Sequence, residues 1–136
     1  MQFTLEQLNT LNTGTLMESL GIEYTEIGQG YVTATMPVDH RTKQPAGILH
    51  GGASIALAET IAGLGSWLLV DPSVSEVRGA QLNANHVRAC NSRRVVAKAT
   101  VVHKGNNTHV WNVDVFDEAN QLVSTVRVTN FIVTKQ

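Results

Sequence analysis

From Gly51 to Val70 this chain runs almost without interruption through apolar or small residues, and in the middle of the run stands one carboxylate, Glu59. About 20 such residues could cross a bilayer. Against a span stand Glu59 itself, whose charge would be costly at mid-bilayer, the glycines at 63 and 65, and flanking segments that alternate as strands do. The run predicts instead a helix of a soluble domain, roughly Gly51 to Leu69, with protein all round it because alanine, isoleucine and leucine occupy every face. Asp71-Pro72-Ser73 ends it.

The rest reads mostly as strands. Thr4 is a helix N-cap before Leu5 and Leu8, and a second turn is expected over Leu16 to Leu20. Ile22 to Ile27 and Tyr31 to Met36 flank Gly28-Gln29-Gly30 as a hairpin, Pro37 stops the second strand, and a polar loop runs from Asp39 to Leu49. Beyond the long helix, Val77 to Val87, Val95 to His103, Val110 to Phe116 and Val123 to Val133 are rich in valine and threonine and separated by turn residues. Regular short spacing predicts an antiparallel meander. About six strands and one apolar helix are reconciled by curling the sheet round the helix, which is the α+β hot dog fold. Its exposed edges invite edge-to-edge pairing of two subunits.

At 136 residues the chain is expected to be one domain, 1–136, and 43% hydrophobic content supplies a core. A net charge of -1 argues against nucleic-acid partners, which require a basic stripe. The single cysteine, Cys90, cannot form an internal disulfide, and with no signal peptide at the start a cytoplasmic location is expected.

Glu59 has Ile55, Ala56, Ala62 and Gly63 as its helical neighbours, and no lysine or arginine occurs between Lys43 and Arg78. Such a carboxylate must be neutralised, paired from elsewhere (Arg88 is one structural option), or placed beside a substrate pocket. Just before it, Gln44-Pro45-Ala46-Gly47-Ile48-Leu49-His50-Gly51-Gly52-Ala53-Ser54 leads into the helix N-terminus, where N–H groups are unpaired and the dipole favours negative charge. The glycines either make a tight corner or let a ligand carbonyl reach the Gly51 N–H. Glu59 lies eight residues on, about 12 Å along one helix, whereas reacting atoms must approach within about 3.5 Å. If both act on one carbonyl, they come from different subunits.

The run Gln44 to Thr60, QPAGILHGGASIALAET, resembles the glutamate-type branch of hot-dog acyl-CoA thioesterases, which includes 4-hydroxybenzoyl-CoA and 1,4-dihydroxy-2-naphthoyl-CoA thioesterases. Met36 to Asp39 with Arg41-Thr42, Asn83 to Arg88, and His103-Lys104-Gly105 followed by Trp111 are similar to further segments of that branch, in order, over nearly the whole chain. The resemblance implies hydrolysis of an acyl-CoA, aryl or aromatic in its acyl part, to free acid and CoA. Glu59 would be nucleophile or general base, Gly51 would polarise the carbonyl, and Gln44 and His50 would bind and orient it from the facing subunit. Gly79, His86, Val87, Arg88, Ala89, His103, Lys104, Gly105, Asn106, Asn107 and Thr108 would hold the CoA, with Arg88 and Lys104 suited to its phosphates. No cofactor is implied, since CoA belongs to the substrate. The implied assembly is a homodimer that pairs into a homotetramer, without membrane or nucleic acid.

Two departures from that pattern stand out. Gly63 replaces a common Ser or Thr, which leaves Thr60, Ser66 or no side chain to orient water. Ala46 replaces a bulky residue and should widen the acyl pocket. The histidines His40, His50, His86, His103 and His109 match no compact metal-ligand spacing. Cys90 lacks an activating partner and reads as buried, Ser54 lacks a nucleophile elbow, and Trp67 and Trp111 read as core or interface. The rival functions are a non-hydrolytic acyl-CoA-binding or regulatory domain and an acyl-thioester hydratase or dehydratase. Release of thiol from saturated aryl- and acyl-CoA esters separates hydrolysis from both.

Overall fold

In the computed structural model, which describes residues 2–136, two short helices open the chain, each fixed by its N-cap. Thr4 and Gln7 form a reciprocal capping box at α1 (Leu5–Thr10), and Thr15 caps α2 (Leu16–Leu20), which Gly21 ends at φ 73°. Strands β1 (Glu23–Gly28) and β2 (Tyr31–Pro37) follow as a hairpin, then α3 (Gly51–Leu69), then β3 (Ser75–His86), β4 (Arg94–Lys104), β5 (Thr108–Phe116) and β6 (Leu122–Thr134). The limits of α3 are those the apolar run predicts.

The six strands form one antiparallel sheet in the order β1-β2-β4-β5-β6-β3. Only β4, β5 and β6 form the expected meander. The chain leaves β2 through α3, and β3 then takes the far edge beside β6. Residue periodicity sets which side chains face inward but not which strand is the neighbour, so this crossover was not legible. The sheet remains open, and β3, 12 residues long, is one of its two free edges.

Five strands, β2 to β6, contact α3. The helix buries Leu57, Ala58, Ile61 and Ala62 completely against inward residues such as Val32, Ala34, Ala97, Trp111, Val113 and Val128. Burying a leucine or isoleucine side chain contributes about 1.5–3 kcal/mol. One stripe of α3 departs from the all-round burial expected of it: Ala56, Thr60, Gly63, Leu64 and Trp67 are half-buried and Glu59 is exposed.

The far end of the core is polar. Ser66 Oγ accepts from Trp111 Nε1 (2.8 Å) and from Asn130 Nδ2 (3.1 Å), and it lies 2.8 Å from His109 Nδ1. Two received hydrogen bonds fill the hydroxyl's lone pairs, so its own proton goes to His109 and fixes that imidazole as the neutral Nε2–H tautomer. Burial lowers the His109 pKa, with Lys104 and His103 adding to the effect. Ser66→Ala strands the Trp111 N–H in the core and leaves Asn130 Nδ2 only the Ala62 carbonyl, and we expect it to cost about 2 kcal/mol or more of stability, read as a lower urea midpoint at unchanged slope.

Candidate active site

The loop into α3 is held by its own backbone. The Asp39 carboxylate accepts from Arg41 Nη2 at 2.7 Å, and this pairing lowers the Asp39 pKa to about 2. Thr42 Oγ1 donates to the Pro37 carbonyl, His50 N–H donates to Thr42, and Leu49 N–H donates to Cys90, which is buried as expected. These bonds hold His50 in extended backbone (φ −71°, ψ 130°) as the N-cap of α3. Its Nδ1 accepts from Gly52 N–H at 2.8 Å. That bond uses the Nδ1 lone pair, so the ring N–H is on Nε2, which remains free to bind outward.

The first turn of α3 has four N–H groups to satisfy. Gly52 is capped by the His50 side chain, and Ala53 and Ser54 donate to the His50 carbonyl. Gly51 N–H alone has no acceptor among the described residues, so the helix start offers one uncommitted donor at its positive end. Gln44 Oε1 accepts from Ala46 N–H, which fixes the amide at the head of the same loop. A cavity of about 330 Å³ beside this start is lined by Gly51, Ser54, His86, Val87, Arg88 and Ala89, among others.

Glu59 belongs to a different cavity. A groove of about 560 Å³ runs between α3 and the two N-terminal helices, walled by Leu8, Leu11, Leu16, Met17, Leu64 and Trp67, with Glu59, Thr60 and Gly63 along its helix side. Glu59 takes part in none of the ion pairs or side-chain hydrogen bonds among the described residues, and Arg88 is not its partner. Gly79 is a strand neighbour: a Cβ there would lie 2.8 Å from Glu59 Oε2. The glycine thus leaves room for the carboxylate and stands at the Glu59 groove, not with residues 86–89.

Of the two side chains weighed for positioning water, Thr60 lines the groove, while Ser66 is wholly buried and committed to the core. Ala46 is exposed in its loop and does not line the groove. Trp67 is a groove wall whose ring is tilted 42° against Phe3 (4.9 Å between centroids), and Trp111 is core. Sequence reasoning missed the contribution of α1 and α2, which supply Leu8, Leu11, Leu16 and Met17; the i, i+3 leucines of the N-terminal segment were the available signal.

The residues expected to hold CoA are divided within one chain. Gly79 aligns across the sheet with Asn130, His109 and Lys104, so the β4–β5 hairpin with residues 103–108 lies at the Gly79 end. Residues 86–89 lie at the other end of β3, about 23 Å away at 3.3 Å per residue. Gly51 and Glu59 divide in the same way, one at each end.

The family model described as the thioesterase superfamily matches residues 46–124. The chain is 41% identical over 131 residues to the 1,4-dihydroxy-2-naphthoyl-CoA hydrolase of Escherichia coli (strain K12), covering 96% of each. The solved thioesterase of Haemophilus influenzae is similar at a TM-score of 0.94 and 44% identity, over 98% of this chain and 93% of that one. Two solved variants of a Staphylococcus aureus thioesterase, one with a glutamate and one with a glutamine replaced by alanine, are 39% identical. Their TM-scores are 0.86 and 0.85, over 88% and 87% of this chain and 99% and 98% of theirs. The family match takes in the last residues of the loop before α3, all of α3 and strands β3 to β5; the chain belongs to the thioesterase superfamily and is a thioester hydrolase on a hot-dog fold.

Proposed function

We propose that this protein hydrolyses an aryl- or aromatic-acyl-CoA to the free acid and CoA, at a site that two copies of the chain build together. The carrying observation is that two groups with no partner among the described residues, the Gly51 N–H and the Glu59 carboxylate, open into separate cavities of one chain. A second copy reconciles them. Antiparallel pairing of β3 with its own symmetry mate about Asn83, with the bulge between Gly79 and Gln81 taking up one residue, sets Gly79 of one copy opposite His86 of the other. Glu59 stands beside Gly79 and Gly51 beside His86, so the same pairing brings the carboxylate of one protomer to the helix start of its partner. It also unites residues 86–89 of one copy with the 103–108 hairpin of the other around one CoA, and it covers a free sheet edge. Pairing of such dimers into a tetramer is the further assembly expected.

In this reading the acyl group enters the apolar groove, with its carbonyl oxygen at Gly51 N–H and Gln44 and His50 orienting it. Buried Asn12 and Asn130 line that groove, and each has one side-chain atom without a partner, which suits an aromatic ring carrying hydroxyl groups. Glu59 acts by one of two balanced routes. As general base it takes a proton from water while the water oxygen bonds to the carbonyl carbon; as nucleophile its own oxygen bonds there, and water then hydrolyses the anhydride. Either way the C–S bond breaks and CoA leaves as thiolate, needing little acid assistance. The glutamine and the glutamate replaced in the S. aureus relative are as far apart in sequence as Gln44 and Glu59, which supports pairing these two in one site. Thiol capture with benzoyl-, hydroxybenzoyl- and fatty acyl-CoA tests the reading: faster turnover of the aryl esters is expected. Binding of all of them without thiol release would leave an acyl-CoA-binding domain instead.

A further inference from the structure

Building on that reading, we propose that His86 donates a second hydrogen bond, from Nε2, to the thioester carbonyl oxygen that Gly51 N–H polarises. His86 pairs with Ser124 across β3 and β6, and both face the inner side of the sheet. A Cβ placed on Gly51 would lie 2.7 Å from His86 Nε2 and 2.9 Å from its Cδ2. In a helix the Cα–Cβ bond tilts toward the N-terminus. The imidazole edge therefore sits on the N-terminal side of α3, the side to which the free Gly51 N–H points. This gives a second reason for glycine at 51: the ring occupies the space a side chain would need.

The tautomer follows from Ser124. His86 Nδ1 lies 2.7 Å from Ser124 Oγ, and Ser124 is wholly buried with no other side-chain partner among the described residues. A buried hydroxyl loses more by leaving its proton unpaired than by leaving a lone pair unfilled. Ser124 therefore donates to Nδ1, and Nε2 carries the proton toward the cavity that His86, Gly51 and Ser54 line together. Ser124 is a positioning residue: it fixes both ring orientation and tautomer. The assignment moves His86 away from the nucleotide and onto the reacting carbonyl.

The test compares His86→Phe, which keeps a ring of similar size without a donor, His86→Gln, which can return an N–H, and Ser124→Ala. We expect kcat of His86→Phe to fall about 30- to 100-fold, within the range for loss of one such donor, while inhibition by free CoA stays unchanged. His86→Gln should recover part of the loss, and Ser124→Ala should lower kcat by a smaller factor. Weaker CoA inhibition with kcat preserved would make His86 a nucleotide contact and overturn the proposal, as would no kcat change in any of the three. If wild-type protein releases no thiol, or Glu59→Gln is as active as wild type, it is the underlying functional reading that fails.

Discussion

Glu59→Gln is expected to lower kcat for aryl-CoA hydrolysis by about 10³-fold, or roughly 4 kcal/mol of transition-state stabilisation, and to leave KM within a few-fold. The amide keeps the shape of the side chain but is a far poorer base and nucleophile. Because the Glu59 carboxylate has no ion pair or hydrogen bond among the described residues to lose, the variant should also unfold at the same urea concentration as wild type. That pairing of results separates the catalytic role from a structural one. A carboxylate that held the fold together would lose stability with activity. Steady-state thiol release and a urea titration on one preparation decide between them, and unchanged kcat would remove Glu59 from the chemistry.

Gly51 allows a cleaner dissection, because two substitutions share a Cβ and differ at the backbone nitrogen, where the proline ring takes the place of the hydrogen. Alanine and proline both place a Cβ against His86, but only proline deletes the N–H. Proline is also well suited to this position: it is the first residue of α3, where proline is favoured, and His50 before it already has the extended backbone that precedes proline. The Gly51→Pro variant should therefore fold, with kcat about 10²-fold or more below that of Gly51→Ala, the loss typical of one donor to a developing oxyanion. Equal kcat in the two variants would mean that the glycine serves only the close approach of the imidazole.

The sequence makes some parts of this molecule plain and hides others for definite reasons. Helix α3 is legible to the residue because its apolar run starts at His50-Gly51 and stops before Asp71-Pro72. The strands are legible because inward valines alternate with outward threonines. The exposure of Glu59 in one chain is not, since the stripe carrying it is built of Ala56, Thr60 and Gly63, residues at home in either a core or a groove. The fate of Ser66 was equally hidden. It is set by His109, Trp111 and Asn130 on strands more than 40 positions later, although the spacing of His109 and Trp111 does place both on one strand face. Gly79 and His86 share a strand, yet that strand is long enough to carry them to opposite ends of the molecule. The resemblance implies one set of CoA-holding residues where the chain alone presents two, at opposite ends of β3.

The shared site is tested most directly by mixing two inactive proteins. Glu59→Gln and Gly51→Pro are each expected to be nearly inactive, and after unfolding and refolding together they form heterodimers in which one of the two sites joins an intact Gly51 to an intact Glu59. Random pairing should then restore about one quarter of wild-type activity per protomer. Restored activity at that level, absent when the two are mixed without exchange of subunits, is the predicted result; a refolded mixture no more active than its components would contradict a site built from two chains.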